Sequence, residues 1–298
     1  MITFLKLGKL GRLGNQLFQY AALRSLGIKL NCEIGFLNIK KSIFQNQENL
    51  LKNFSIPNKF FGRAKFYHFF TQKKYIENNP FKIDKSFYQT QDGTDLSGYF
   101  QSIYYFKDSI EIIKKELTPK SKYINEAKHK IKNIKNNFSK YQIISLHLRR
   151  GDNVNPKIKG NAQSLLINYG KGDNFDRNSF YGKYLIRAKS LFKKKKVKFL
   201  IFTGGARISG KYYHDINWAK KNITGEEYIF LEPQSSLEDF CLIRECDHNI
   251  ISPASSFGWW AAFLNNNSKS KVIAPKIYDP SNPTIKRHLF YPKEWIII

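Results

Sequence analysis

His147, Arg149, Arg150 and Asp152 crowd into one six-residue run, His147-Leu148-Arg149-Arg150-Gly151-Asp152, immediately after the apolar segment Gln142-Ile143-Ile144-Ser145-Leu146. The apolar segment reads as a strand buried on both faces, and in parallel α/β sheets ligands bind beyond the carboxyl ends of such strands. Two guanidinium groups at that point suit a phosphate, because their planar N–H forks match its oxygens. Side chains alternate along a strand, so His147 and Arg149 are expected on one side and Arg150 on the other. Asp152 has two open roles: it takes a proton as general base, or it orients Arg149 or Arg150. A structural alternative pairs one arginine with Asp152 merely to tie down a loop, although placing several charges there carries a desolvation cost.

Two further segments have the same strand, turn, helix order. After Ile2 to Leu7 comes Gly11-Arg12-Leu13-Gly14-Asn15-Gln16-Leu17, where glycine permits close backbone approach to a ligand. A helix beginning near Asn15 aims unpaired N–H groups at the same place, and Arg12 adds a cation. Arg12, Gly14 and Asn15 are therefore candidate nucleotide contacts; the alternative is a tight turn feeding a helix with Leu17, Phe18, Ala21, Ala22 and Leu26 buried. After His248 to Ile251 comes Ser252-Pro253-Ala254-Ser255-Ser256-Phe257-Gly258-Trp259-Trp260. Ser255 and Ser256 suit a helix cap and a phosphate, and Phe257 offers a flat face to a base or sugar. Trp259, Trp260 and Phe263 fall at helical spacing and read as core.

Taken in order, GRLGNQLFQYA, HLRRGD and SSFGWWAAFL resemble the signatures of the bacterial α-1,2-fucosyltransferases, glycosyltransferase family 11. Gly98-Tyr99-Phe100-Gln101-Ser102 is similar to the family's GYFQ segment, and Val272-Ile273-Ala274-Pro275-Lys276 to its final strand. The resemblance implies an α/β, GT-B-like fold of two Rossmann-like domains with the donor site in the cleft between them. It also implies inverting transfer of L-fucose from GDP-fucose to the 2-hydroxyl of a terminal galactose, on a lipopolysaccharide or O-antigen precursor. By position, Arg149 resembles the arginine at the donor β-phosphate, with Arg150 beside it. His147 resembles a residue at the guanine edge, Ser255, Ser256 and Phe257 the donor-phosphate and nucleotide contacts, and Asn15 lies in a loop shared by donor and acceptor. The chain departs from the pattern at Gly204-Gly205, where the family commonly has an acidic pair for guanine, and at Pro253, Ala254 and Gly258. The first departure motivates a second reading, the same inverting transfer with another sugar nucleotide.

Cleaving a sugar–phosphate bond develops charge on the leaving diphosphate, so fixed cations and N–H donors are the groups the reaction needs. Arg149, Arg150 and two helix starts supply them. The chain has no Asp-x-Asp triplet and no zinc spacing among its three cysteines, so no metal cofactor is expected.

The elements that must hold these groups follow from pattern. Strand and helix signals alternate from Ile143 to Ser252, which predicts a parallel sheet covered by helices. With 298 residues, two domains are expected: 1–137 on the acceptor side and 138–298 for the donor nucleotide, divided at the polar stretch Asn133 to Lys140. Phe36 to Phe87 mixes aromatics and lysines without a clean period. Lysine and arginine number 50 against 23 acidic residues, a net charge of +27. That charge would attract an anionic sugar nucleotide and favour peripheral contact with an anionic inner membrane. A non-catalytic polyanion-binding protein is a third reading, but no RRM, KH or helix-turn-helix signature accompanies the charge, and no specific nucleic-acid partner is expected. Lys193-Lys194-Lys195-Lys196 reads as a solvated connection. Cys32, Cys241 and Cys246 are odd in number and scattered, and Met1-Ile2-Thr3 leads straight into a short strand; both features fit a cytoplasmic protein.

Overall fold

A computed structural model describes the chain except residues 10, 40–48, 66–72, 81, 151–173, 204–205, 209–210, 214, 233 and 277–289. Asp152 and Gly204-Gly205 fall outside the described residues. The chain divides into two compact units, Met1–Lys120 with Lys286–Lys293, and Ser121–Ile285 with Glu294–Ile298.

In the first unit, β1 (Ile2–Phe4), β2 (Ile34–Phe36), β3 (Lys73–Ile76) and β4 (Thr94–Ser97) form an all-parallel sheet in the order β2-β1-β4-β3. β1 runs only to Phe4, shorter than its apolar run, because Leu7 N–H already turns back to the Phe4 carbonyl. α1 (Leu13–Lys29) follows, and it is buried nearly all round rather than along one stripe. Its polar Tyr20 and Arg24 survive burial by sharing Glu116 at the end of α2 (Ile110–Glu116): Tyr20 Oη donates at 2.6 Å and Arg24 Nε at 3.0 Å.

The second unit opens with α3 (Ser121–Asn137), an amphipathic helix that buries Ala127 and Ile131. Its sheet, again all parallel, joins β5 (Gln142–Leu148), β6 (Val197–Thr203), β9 (Tyr228–Phe230), β10 (His248–Ile250), β11 (Val272–Ala274) and β12 (Ile296–Ile297) in the order β12-β11-β10-β5-β6-β9. β11 is thus followed by a further strand, whereas the resemblance made it the last. Helices α4 (Phe180–Ser190), α5 (Ile216–Asn222), α6 (Ser236–Glu245) and α7 (Ser256–Phe263) supply the alternation the pattern predicts. An antiparallel ribbon, β7 (Ala206–Ile208) with β8 (Lys211–Tyr213), interrupts it after β6 and carries no sequence signal that was read. Ile144, Leu146, Leu148, Ile201 and Ile250 from neighbouring strands meet Tyr181, Tyr184 and Leu185 of α4 in one core. The Trp pair is core as expected: Trp259 and Trp260 are buried, and Trp259 stacks on Phe263.

The division between units lies at Lys120, not near residue 137. The polar stretch Asn133 to Lys140 is the solvated face and end of α3, which packs on α6 in the second unit; Lys130 Nζ reaches Glu238 at 3.3 Å and Lys135 Nζ reaches Asp247 at 2.7 Å. Two parallel α/β sheets in two units agree with the expected α/β fold class.

Candidate functional site

In the second unit the carboxyl ends of β5 and β10, adjacent strands, bring together the HLRR run and the serine-rich turn. Three bonds fix the junction. Arg149 N–H donates to Ser252 Oγ at 3.1 Å, Tyr181 Oη donates to the His147 carbonyl at 2.7 Å, and Tyr184 Oη lies 2.9 Å from the Ile251 carbonyl. Ser252, Tyr181 and Tyr184 are positioning residues that sequence reading missed; a tyrosine at helical spacing looks like core until its hydroxyl is placed.

Ser255 caps α7, accepting from Gly258 N–H at 3.2 Å, and Ser256 opens the helix with its side chain half-buried. The departures before this cap leave it intact. Ala254 takes a left-handed backbone, φ +48°, which turns the chain into the helix. Gly258 is required by space, since a Cβ there would come 2.7 Å from His147 Nδ1. His147 is buried and packs on the half-exposed Phe257 ring at 5.7 Å between centroids; its Nδ1 has no hydrogen-bond partner among the described residues. Burial, and then the Arg149 cation, push its titration down to about 3, so the imidazole is neutral at physiological pH.

The two arginines lie just beyond the end of β5 in different surroundings. Arg149 is half-buried beside the serine turn, whereas Arg150 is buried against α5, its guanidinium 3.6 Å from the Trp218 ring centroid and its Nε 3.6 Å from Asp215 Oδ1. Sequence reading sought a carboxylate for Arg150 in Asp152; Asp215 is the one placed beside it. Next to this junction, at the carboxyl ends of β6 and β9, a small recess is lined by Thr203, Ile216, Leu231, Glu232, Gln234 and Asp239 among others. Thr203 Oγ1 is buried without a partner among the described residues. Burial first, then repulsion from Glu238, push the Asp239 carboxyl up to about 8. Neither residue was singled out from sequence, because a lone threonine and an aspartate in a helix carry no signal without the recess.

Arg12, Gly14 and Asn15 lie together in the first unit. Arg12 is the extended residue before α1 and makes no side-chain cap, Gly14 is buried in the first turn, and Asn15 Oδ1 accepts from Gln101 Nε2 at 2.6 Å. Gly11, at φ +79°, lets the Asn15 amide fold over the turn, where a Cβ would collide with the Asn15 side chain. Gln16 is fully buried with neither amide atom partnered among the described residues. Among those residues no cluster of His, Cys, Asp and Glu is arranged to hold a metal ion, and no helix is long and apolar enough to cross a membrane.

The sequence profile of glycosyl transferase family 11 matches residues 6–298. An α-1,2-colitosyltransferase of Escherichia coli is 26% identical over 293 residues, covering 89% of each chain. The O-antigen biosynthesis glycosyltransferase WbnK, also of Escherichia coli, is 23% identical over 143 residues, 46% of this chain and 39% of that one. Among solved structures, POFUT1 in complex with GDP is similar at a TM-score of 0.48 and 14% identity, covering 90% of this chain and 95% of that chain.

Proposed function

Because the chain belongs to glycosyl transferase family 11, we propose that it moves a 6-deoxyhexose, L-fucose in the first instance, from its GDP conjugate to the 2-hydroxyl of a terminal galactose, with inversion. The chain is a glycosyltransferase related to O-antigen glycosyltransferases. The observation that carries the finer reading is the junction of Arg149, tied through its N–H to Ser252, with the Ser255-capped start of α7 on the neighbouring strand. An arginine and the N-terminal turn of a helix, whose dipole favours negative charge, meet there, as a departing diphosphate requires.

In this reading Arg149 holds the β-phosphate, Ser255 and Ser256 frame the phosphates, and Phe257 covers the nucleoside. Arg150, stacked on Trp218, braces the junction and adds positive potential. The base lies against the mouth of the recess beside β6, where Thr203 and Asp239 offer the polar edge that Gly204-Gly205 do not. Arg12, Gly14 and Asn15 are assigned to binding the nucleotide, and Asp152 takes the acceptor proton or steadies an arginine. Protein cations meet the diphosphate charge, so no metal is needed.

The similarity to a colitosyltransferase supports a second donor. Colitose is fucose without its 3-hydroxyl, so both readings share the GDP half of the site and part only at the sugar. Calorimetric titration with GDP, UDP and ADP tests the shared half. GDP binding that weakens in Asp239→Asn is expected; equal affinity for the three nucleotides contradicts it.

A further inference from the structure

The parallel sheet of the second unit has two unlike edges. At its carboxyl edge the described charges are mixed: Arg150 lies beside Asp215, Arg149 stands at the same edge, and Glu232 and Asp239 line the neighbouring recess. At its amino edge the segments entering β5, β6 and β11 carry seven exposed lysines, Lys140, Lys193 to Lys196, Lys269 and Lys271. The strand register brings these segments side by side. Gln142 N–H bonds the Lys196 carbonyl at 2.9 Å and Asn249 N–H the Lys271 carbonyl at 3.0 Å, so the lysine runs abut neighbouring strand ends. With strands spaced at about 4.8 Å, β11 to β6 places the lysines across roughly 15 Å.

The acidic groups at this edge are few and mostly engaged. Asp247 pairs with Lys135, Glu227 with Lys189, and Glu245 with Arg244, which leaves Glu226 exposed. The field is felt inside the unit: besides burial, Lys195 and Lys271 hold the His248 imidazole below its ordinary range against the opposing pull of Asp247. Helix ends explain Lys135 and Lys189, which complement the terminal turns of α3 and α4. They do not explain Lys193 to Lys196, Lys269 and Lys271, which lie in connections. Two large apolar side chains stand among these lysines, Tyr141 at 37% exposure and Leu191 at 46%.

We propose that the amino edge of this sheet is a docking surface for an anionic phospholipid bilayer, with the lysines on the headgroups and Leu191 and Tyr141 in the interfacial layer. Apolar side chains set between cations suit a headgroup layer with hydrocarbon beneath it, whereas a nucleic-acid duplex offers them no apolar depth. Docking by this edge turns the carboxyl edge, with Arg149 and Ser255, away from the bilayer, and it is independent of which sugar nucleotide binds there.

The test is co-sedimentation with phosphatidylcholine vesicles with and without phosphatidylglycerol, at low and high salt. Binding is expected only with phosphatidylglycerol and only at low salt. Each lysine near an anionic surface strengthens binding about fivefold, so K193Q/K194Q/K195Q/K196Q should weaken it by at least a hundredfold or so, with circular dichroism and GDP affinity unchanged. The control K52Q/K74Q/K82Q/K85Q removes the same charge from exposed lysines of the first unit and should bind vesicles as the parent does. Equal loss in both variants reduces the effect to net charge and overturns the proposal, as does absence of binding to phosphatidylglycerol. Binding to duplex RNA through the same four lysines, without binding to vesicles, overturns it in favour of a nucleic-acid surface.

Discussion

Replacing Gly258 by alanine tests whether the contact between β5 and α7 sets the geometry of the phosphate site. Helix propensity alone favours alanine by about 1 kcal/mol. Packing opposes it: the new Cβ would lie 2.7 Å from His147 Nδ1, 3.3 Å from Cε1 and 3.4 Å from Cγ. His147 is buried, so its ring has nowhere to swing, and the helix start must move by about 0.7 Å to restore ordinary contact. Overpacking of this kind costs roughly 1–3 kcal/mol, which leaves a net loss of about 0–2 kcal/mol and a melting temperature lower by a few degrees. The larger effect falls on function. Ser255 and Ser256 ride on the displaced turn, and since a 1 Å misplacement can lower a rate about a hundredfold, kcat should fall roughly ten- to a hundredfold. Thermal unfolding, GDP calorimetry and steady-state turnover measure the three quantities. In a His147→Ala background the clash disappears, so the cost of Gly258→Ala should vanish there. Stabilisation by the full helix propensity in both backgrounds, with turnover unchanged, refutes the reasoning.

Other substitutions separate the remaining roles. Arg149→Lys should cut kcat by about two to three orders of magnitude, because an ammonium cannot supply two aligned bonds to a departing phosphate; normal turnover in this variant removes Arg149 from the site. Arg150→Lys should lower turnover and also Tm, since it gives up the face-on contact with Trp218. Gln101 donates to Asn15 Oδ1 at 2.6 Å, so Gln101→Lys, which keeps a donor, should retain more activity than the near-isosteric Gln101→Glu, which reverses the Asn15 amide. The opposite order would assign Gln101 a packing role. His147 titrates at about 3 in the fold against an ordinary 6.5. The stability it contributes is complete above the ordinary value and is lost as pH falls towards 3, and urea unfolding across that range should show a shallower decline in His147→Asn.

Much of the second unit was legible because its strands are continuous apolar runs, and the alternation of strand and helix expected from Ile143 to Ser252 is what the fold contains. The polar ends of those strands advertised the junction of Arg149 with the serine turn. What could not be read depends on contacts distant in sequence. The division between units at Lys120 follows from α3 packing on α6, and a polar helix face before a strand resembles a linker until its partner is known. The recess with Thr203 and Asp239 arises only when β6, β9 and α6 are brought together, and the anchoring of Arg150 on Trp218 and Asp215 spans more than sixty residues. The short strands of the first unit, three or four residues each, are too brief to show a period against their aromatic surroundings.

The central claim is the transfer itself. Incubating the purified chain in EDTA with GDP-fucose, GDP-colitose and UDP-galactose, each with a galactose-terminated acceptor, and determining product mass and linkage tests it directly. Addition of a deoxyhexose from a GDP donor to the galactose 2-hydroxyl, undiminished by the chelator, is the predicted result. Turnover of the UDP-sugar alone, linkage at another hydroxyl, or activity restored only by a divalent cation would contradict it.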